Sequence, residues 1–204
     1  MAGFDDTIVR QYFELNGFFV RELGKSSDPG KKTASPGPAL EVMRPDASGD
    51  DSSGEIGFQV FSADLARIGR GFVAVEGWEG SRFTPAMLKS SAKVFRFLEK
   101  EVLGKSGGPF ANPAENAGAE AEEVRRLLVL PGLPASDPHR SESIELLRGR
   151  GVDAVITFST ILEGLVRQVD VNRSYAKSDM LQLLRVLKLY DMIRDPQMQL
   201  FGKE

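Results

Sequence analysis

One carboxylate and one row of cations are the residues of this chain whose types and spacing bear directly on chemistry. Glu76 ends the run Phe72-Val-Ala-Val75, an unbroken set of apolar residues rich in β-formers that reads as a buried central strand. A carboxylate at such a place is costly unless it is ion-paired, hydrogen-bonded or bound to a metal. Downstream, Lys89, Lys93, Arg96 and Lys100 recur at i, i+4, i+7 and i+11, one stripe along a helix. From Arg82 to Lys105 six basic residues face only Glu99 and Glu101. Such a stripe suits a phosphate backbone. A solvated helix face gives the same pattern, and no aromatic residue obviously interleaves with this one.

Other chemistries are excluded by composition or spacing. The chain has no cysteine, so disulfides and thiolate metal sites are ruled out, and its single histidine, His139, cannot build a His-rich zinc site. Gly24-Lys-Ser and Gly104-Lys-Ser lack the glycine five positions earlier that a phosphate-binding loop needs; Phe19 and Glu99 stand there. Gly69-Arg-Gly71 precedes a strand instead of joining strand to helix, so it is no dinucleotide fingerprint. His139 sits in the turn-like Asp137-Pro-His, with no nucleophile elbow to make a Ser-His-Asp triad. The net charge of -3 argues against a globally basic nucleic-acid binder but leaves room for a local basic face. No apolar run is long enough to span a membrane, and Met-Ala-Gly-Phe-Asp-Asp lacks the regions of a signal peptide. No membrane partner and a bacterial-type cytoplasmic location are therefore expected.

The elements that must position these residues follow from periodicity and punctuation. Asp5 or Asp6 caps a helix to about Asn16, with Ile8, Val9, Tyr12, Phe13 and Leu15 on its apolar arc and Gly17 ending it. Phe18 to Arg21 and Ala39 to Met43 are short strands, and 58–68 is ambiguous between strand and helical turn. Thr84 caps, and Pro85 opens, a helix to about Leu103. Arg126 to Leu130 and Val152 to Phe158 are further strands, with a short helix from Ser141 to Arg148 between them. Thr160-x-x-Glu163 matches a capping box for a helix to about Val169. A last amphipathic helix runs from Lys177 or Ser178 to about Arg194. The tracts 24–38, 46–57 and 104–122, rich in Gly, Pro, Ser, Asn and Ala, read as mobile loops. With 204 residues the expectation is a single α/β (α+β) domain, a mixed central sheet flanked by helices.

Three stretches then resemble the PD-(D/E)XK nuclease-like, or restriction-endonuclease-like, superfamily. Tyr12-Phe-Glu-Leu-Asn-Gly-Phe-Phe-Val20 resembles its opening helix, glycine and first strand. Leu40-Glu-Val-Met43 resembles the strand that carries a metal-binding acid, and Val73-Ala-Val-Glu-Gly-Trp78 the strand that carries the (D/E)-x-K signature. The resemblance covers roughly residues 5 to 160 and implies a restriction-endonuclease-like core with extra C-terminal helices. It places Glu41 and Glu76 as catalytic metal ligands and Glu14 as an accessory ligand. The cation would be Mg²⁺ or a similar hard ion, for which oxygen donors suffice. Arg82, Lys89, Lys93, Arg96 and Lys100 would contact nucleic acid.

The signature is incomplete in either register. Ala74, Glu76 and Trp78 share a strand face. With Glu76 as the acid, Trp78 stands at the lysine position; with Glu76 at the lysine position, Ala74 stands at the acid position. Lys89 or Lys93 from the next helix is the candidate replacement for the lysine. The plain alternatives are a water-facing Glu41, a Glu76 paired with Arg70 or Arg82, an exposed Glu14 and a Trp78 that only packs. Three functions follow: a nuclease-like fold with a degenerate site serving as a nucleic-acid-related module, which is favoured; an active Mg²⁺-dependent nuclease using Glu41 and Glu76; or an unrelated homo-oligomeric structural or regulatory protein whose C-terminal helices bury Leu181, Leu187 and Met192 in a homodimer.

Overall fold

In a computed structural model of the chain, residues 3–23, 39–45, 56–79, 83–104, 108–110 and 124–194 are described. The protein is a mixed α/β structure. Helix α1 (Phe4–Leu15) leads through Gly17, at φ +83°, into β1 (Phe19–Glu22), β2 (Leu40–Met43) and β3 (Arg70–Val75). Helix α2 (Ser91–Phe97), strand β4 (Val124–Leu130), helix α3 (His139–Arg148) and strand β5 (Ala154–Thr157) follow, and α4 (Phe158–Gln168) and α5 (Asp179–Leu189) close the fold. The strands lie in the order β1-β2-β3-β4-β5. β1, β2 and β3 form an antiparallel meander, whereas β4 runs parallel to β3 and β5 parallel to β4.

Strand alternation sorts the core onto two faces. Leu40, Val42, Val73, Leu127, Val129, Ala154 and Ile156 face α1, α4 and the start of α5. Phe72, Ala74, Leu128, Leu130 and Val155 face α2 and α3. The second face is left open at the β1–β2 end, where the cross-strand neighbours Phe19 and Met43 are 64% and 47% exposed. Beyond β5, Gln59 bridges Val155, and a 3-10 helix covers Ser62–Arg67, which resolves the ambiguity of 58–68.

Three sequence expectations need correction. The helix expected from Pro85 begins only at Ser91; residues 85–89 are successive turns, with Met87 N donating to Thr84 O and Ser90 N to Met87 O, each at 2.9 Å. Serine competes for backbone partners and so marks helix ends better than interiors. Ser90 is extended at the helix entrance, and Ser91 Oγ is tied to Ser136 Oγ at 3.0 Å. Beyond Phe97 the helix widens into a π-helical turn, Leu98–Val102, that keeps Leu98 and Val102 buried. The cap of α4 is Thr157, whose side chain accepts from Thr160 N; Thr160 lies inside the helix and is buried. Finally, α5 stops at Leu189, where Asp191 takes φ +53° and Met192 N donates to Leu187 O at 2.9 Å. The sequence-predicted loops fall largely outside the described residues.

The exit of β3 is fastened to the start of α1. The buried Asp5 carboxylate accepts from Glu79 N, and the Glu79 carboxylate accepts from Phe4 N. Gly77 permits the approach, since a Cβ there would sit 2.2 Å from Asp5 Oδ2. Asp5→Ala leaves the Glu79 N–H without its acceptor and is expected to lower the unfolding free energy by about 1–3 kcal/mol in urea titrations. Asp5→Asn, which keeps an acceptor oxygen, should lose less.

Candidate functional site

Glu41 lies at the centre of a three-residue charge cluster. Period-two alternation turns it away from Leu40 and Val42 and onto the open part of the second sheet face. It is directly opposite Arg21 on β1 and Phe72 on β3. Arg70, two residues before Phe72, is its diagonal neighbour on the same face. Arg70 reaches Glu41 Oε1 with Nε at 2.9 Å and Nη2 at 2.8 Å, and Arg21 Nη2 pairs with Oε2. Both carboxylate oxygens are thus held by guanidinium groups. Only 8% of Glu41 is exposed, whereas Arg21 remains largely in solvent. Burial alone raises the Glu41 pKa, but the hydrogen bonds and charges of Arg70 and Arg21 outweigh it, so the net shift is downward from 4.5. The cluster carries a formal charge of about +1 at neutral pH.

Glu76 is not brought beside Glu41. It continues the ladder past β3, its N donating to Val129 O at 3.0 Å. By alternation it shares the face of Phe72 and Ala74, but it lies four residues beyond Phe72, about 13 Å along the strand. Between the two acids stands Ala74, 2% exposed and packed in the core. Glu14 is on α1, which packs on the opposite face of the sheet, and is held by Arg10 Nε at 2.7 Å and Gln11 Nε2 at 2.8 Å. It lines an open groove of about 590 Å³ with Arg173, Tyr175 and Lys177. Among the described residues no three His, Cys, Asp or Glu side chains gather as a metal site. A cation at Glu41 would have to displace two guanidiniums and would find no donor at Ala74. The donor set as it stands does not fit Mg²⁺.

The basic row is partly preserved. Lys93 and Arg96 project from α2, and Lys100 from the π-helical turn, all exposed and without an ion pair among the described residues. Lys89 is also exposed but belongs to the turns before α2, so it steps off the stripe. Neither Lys89 nor Lys93 is therefore placed by a helix running from Pro85. Arg82 lies outside the described residues. Trp78 packs edge-on against Phe83 at 5.3 Å, and Phe83 against Phe97 at 4.9 Å, a packing role. An aromatic pair does accompany the cations: the Phe95 ring stacks on His139 at 5.5 Å, and His139 Nδ1 lies 3.2 Å from Glu142. Sequence reasoning missed Arg21 and offered Arg70 only as a partner of Glu76; the pairing of both with Glu41 required the strand register.

No family model, curated protein or solved structure matches the chain. Among the described residues no helix is long and apolar enough to cross a membrane.

Because the folded-state pKa of Glu41 lies below its unfolded value, its contribution to stability is complete above the ordinary glutamate range. It is lost as pH falls through the folded value. Glu41→Gln leaves two guanidiniums facing a neutral amide and is expected to cost about 1–3 kcal/mol at pH 7. Denaturant titrations between pH 7 and 3 should show the gap between wild type and variant narrowing below about pH 4.

Proposed function

We propose that this chain is a nuclease-like module without metal-dependent cleavage, which binds nucleic acid along the α2 side of its sheet. The carrying observation is the capture of Glu41 by Arg21 and Arg70, which puts two fixed cations where the resemblance implies a metal. The order of elements supports the reading: a helix, three antiparallel strands, a helix and a strand parallel to the third follow the succession on which the resemblance rests. The register favours one of the two alignments of the signature. Ala74 is the diagonal neighbour of Glu41, so it takes the acid position and Glu76 the lysine position. On this reading the second metal-binding carboxylate is missing and the lysine is replaced by an acid.

The cationic groups lie on one side of the sheet. Arg21 and Arg70 lie on the same side of the sheet as α2, which presents Lys93, Arg96 and Lys100 to solvent. A row of exposed cations neutralises successive phosphates and releases counterions. The stacked Phe95 ring beside it offers a surface to an unpaired base. A cytoplasmic setting accords with a cysteine-free chain.

Labelled single- and double-stranded DNA and RNA incubated with Mg²⁺ or Mn²⁺ should remain uncut while binding is observed by fluorescence anisotropy. Affinity should fall about 10-fold or more between 50 and 200 mM salt. The triple variant K93E/R96E/K100E should weaken binding by at least about 10-fold without changing the melting temperature by more than a few degrees. Cation-dependent cleavage abolished by Glu41→Gln or Glu76→Gln would establish the active-nuclease reading instead. Absence of binding to all four substrates would remove nucleic acid as the partner.

A further inference from the structure

Five of the twelve exposed large apolar side chains among the described residues lie on one element and the turn after it. Leu183, Val186, Leu189 and Tyr190 of α5 and its cap, and Met192 just beyond, are all solvent-facing. Leu183 is 58% exposed, Val186 37% and Tyr190 75%. Leu181, which the sequence pattern assigned to a partner, is instead buried in the chain's own core.

Asp179, Leu183, Val186 and Tyr190 occur at intervals of four, three and four residues, so they form one line along the outer side of α5. That spacing reads the same in both directions. When two copies of α5 lie antiparallel about a dyad midway along the line, Leu183 meets Val186 of the other copy, and Asp179 meets Tyr190. The apolar pair sits at the centre, and at each end a phenol O–H donates to a carboxylate. The two cations within α5 do not intrude. Arg185 Nε donates to Val171 O at 2.8 Å, and Lys188 Nζ to Val166 O at 2.9 Å and Val169 O at 3.0 Å, so both are drawn back onto the chain's own backbone.

From this arrangement we propose that α5 is a self-association surface whose occupant is a second copy of the same chain, packed antiparallel through Leu183 and Val186. The five exposed side chains offer on the order of 500 Å² per protomer, about 1,000 Å² for the pair, at the small end of specific interfaces. The dimer is accordingly a micromolar one, present at high concentration and dissociating on dilution. The interface does not draw on the nuclease-like reading. α5 packs on the α1 and α4 side of the sheet, so pairing leaves the α2 side and Arg21 accessible.

Sedimentation equilibrium of the full chain from about 1 to 300 µM should show a monomer–dimer equilibrium with a Kd of about 1–100 µM. Leu183→Asp and Val186→Asp change exposed positions and should each raise that Kd by at least about 30-fold with an unchanged circular dichroism spectrum. Because the chain lacks cysteine, direction can be read by cross-linking. A mixture of L183C and V186C chains should oxidise to a mixed disulfide dimer in preference to either self-pair. A chain that stays monomeric through 300 µM overturns the proposal, including the case in which its own residues beyond Arg194 occupy the stripe. So does a dimer unaffected by both aspartate variants, or one whose L183C chains couple mainly to themselves, as a parallel pair would.

Discussion

Strand β3 must satisfy two hydrogen-bonding patterns at once and bury both faces while doing so. One edge pairs antiparallel with β2 and the other parallel with β4. Its four central residues are all buried; Val73 joins one core and Phe72 and Ala74 the other, and the two cores share no side chain. Parallel pairing demands a crossover, and α2 supplies it on the Phe72 side. Antiparallel pairing needs no such crossover, and among the described residues no helix packs over β1 and β2 on that side, which leaves Phe19 and Met43 exposed.

That bare end is where a carboxylate can survive close to the core. Leu40 and Val42 must face α1, so alternation forces residue 41 onto the opposite surface, where only a small part of it stays exposed. An unpaired carboxylate there would carry a desolvation penalty and titrate upward. Two guanidiniums reverse the sign. A partly buried ion pair adds little net stability over an apolar substitute, so its main structural effect is on register. Sliding β1 by two residues would carry Arg21 away from Glu41 and leave the acid one partner short, whereas Phe19 and Met43 would be indifferent to the shift. The same contact that fixes the pairing of the edge strand also fills the coordination space that a cation would need. Structure and chemistry compete for one side chain, and the geometry shows the structural contact in place.

How legible this was in the sequence depends on whether a signal was local. The central strand, the glycine after α1 and the apolar arc of α1 were visible because period and punctuation agree over several residues. Every strand was placed within two residues of its observed ends. The start of α2 was misread because Thr84-Pro85 is a strong local entrance signal, while the stronger break at Ser90-Ser91 depends on Ser136, 45 residues away. Thr160-x-x-Glu163 matches a capping box, yet β5 passes into α4 without a loop, which puts the cap and the first helical residue three positions earlier. The partners of Glu41 come from two other strands, and only the register identifies them. Glu14 and Glu41 are compatible as co-ligands by residue type, but the sheet stands between them.

The whole-chain charge conceals how the charges are distributed. Residues 46–55 and 111–123 contain Asp46, Asp50, Asp51, Glu55, Glu115, Glu120, Glu122 and Glu123 and no lysine or arginine; against a net of -3, this leaves the remaining residues at +5. Electrostatic attraction between exposed charges decays over a Debye length of roughly 8–10 Å at physiological salt. A polyanion approaching α2 therefore responds to Lys93, Arg96 and Lys100 and to the charges near them, not to the sum over the sequence. The single-sign stretches also explain why the isoelectric point near 5.4 is a poor guide to partner choice here. What an anion meets at α2 is a row of exposed cations with no ion pair among the described residues, and the acid of β2 on the same side of the sheet already carries two cations of its own.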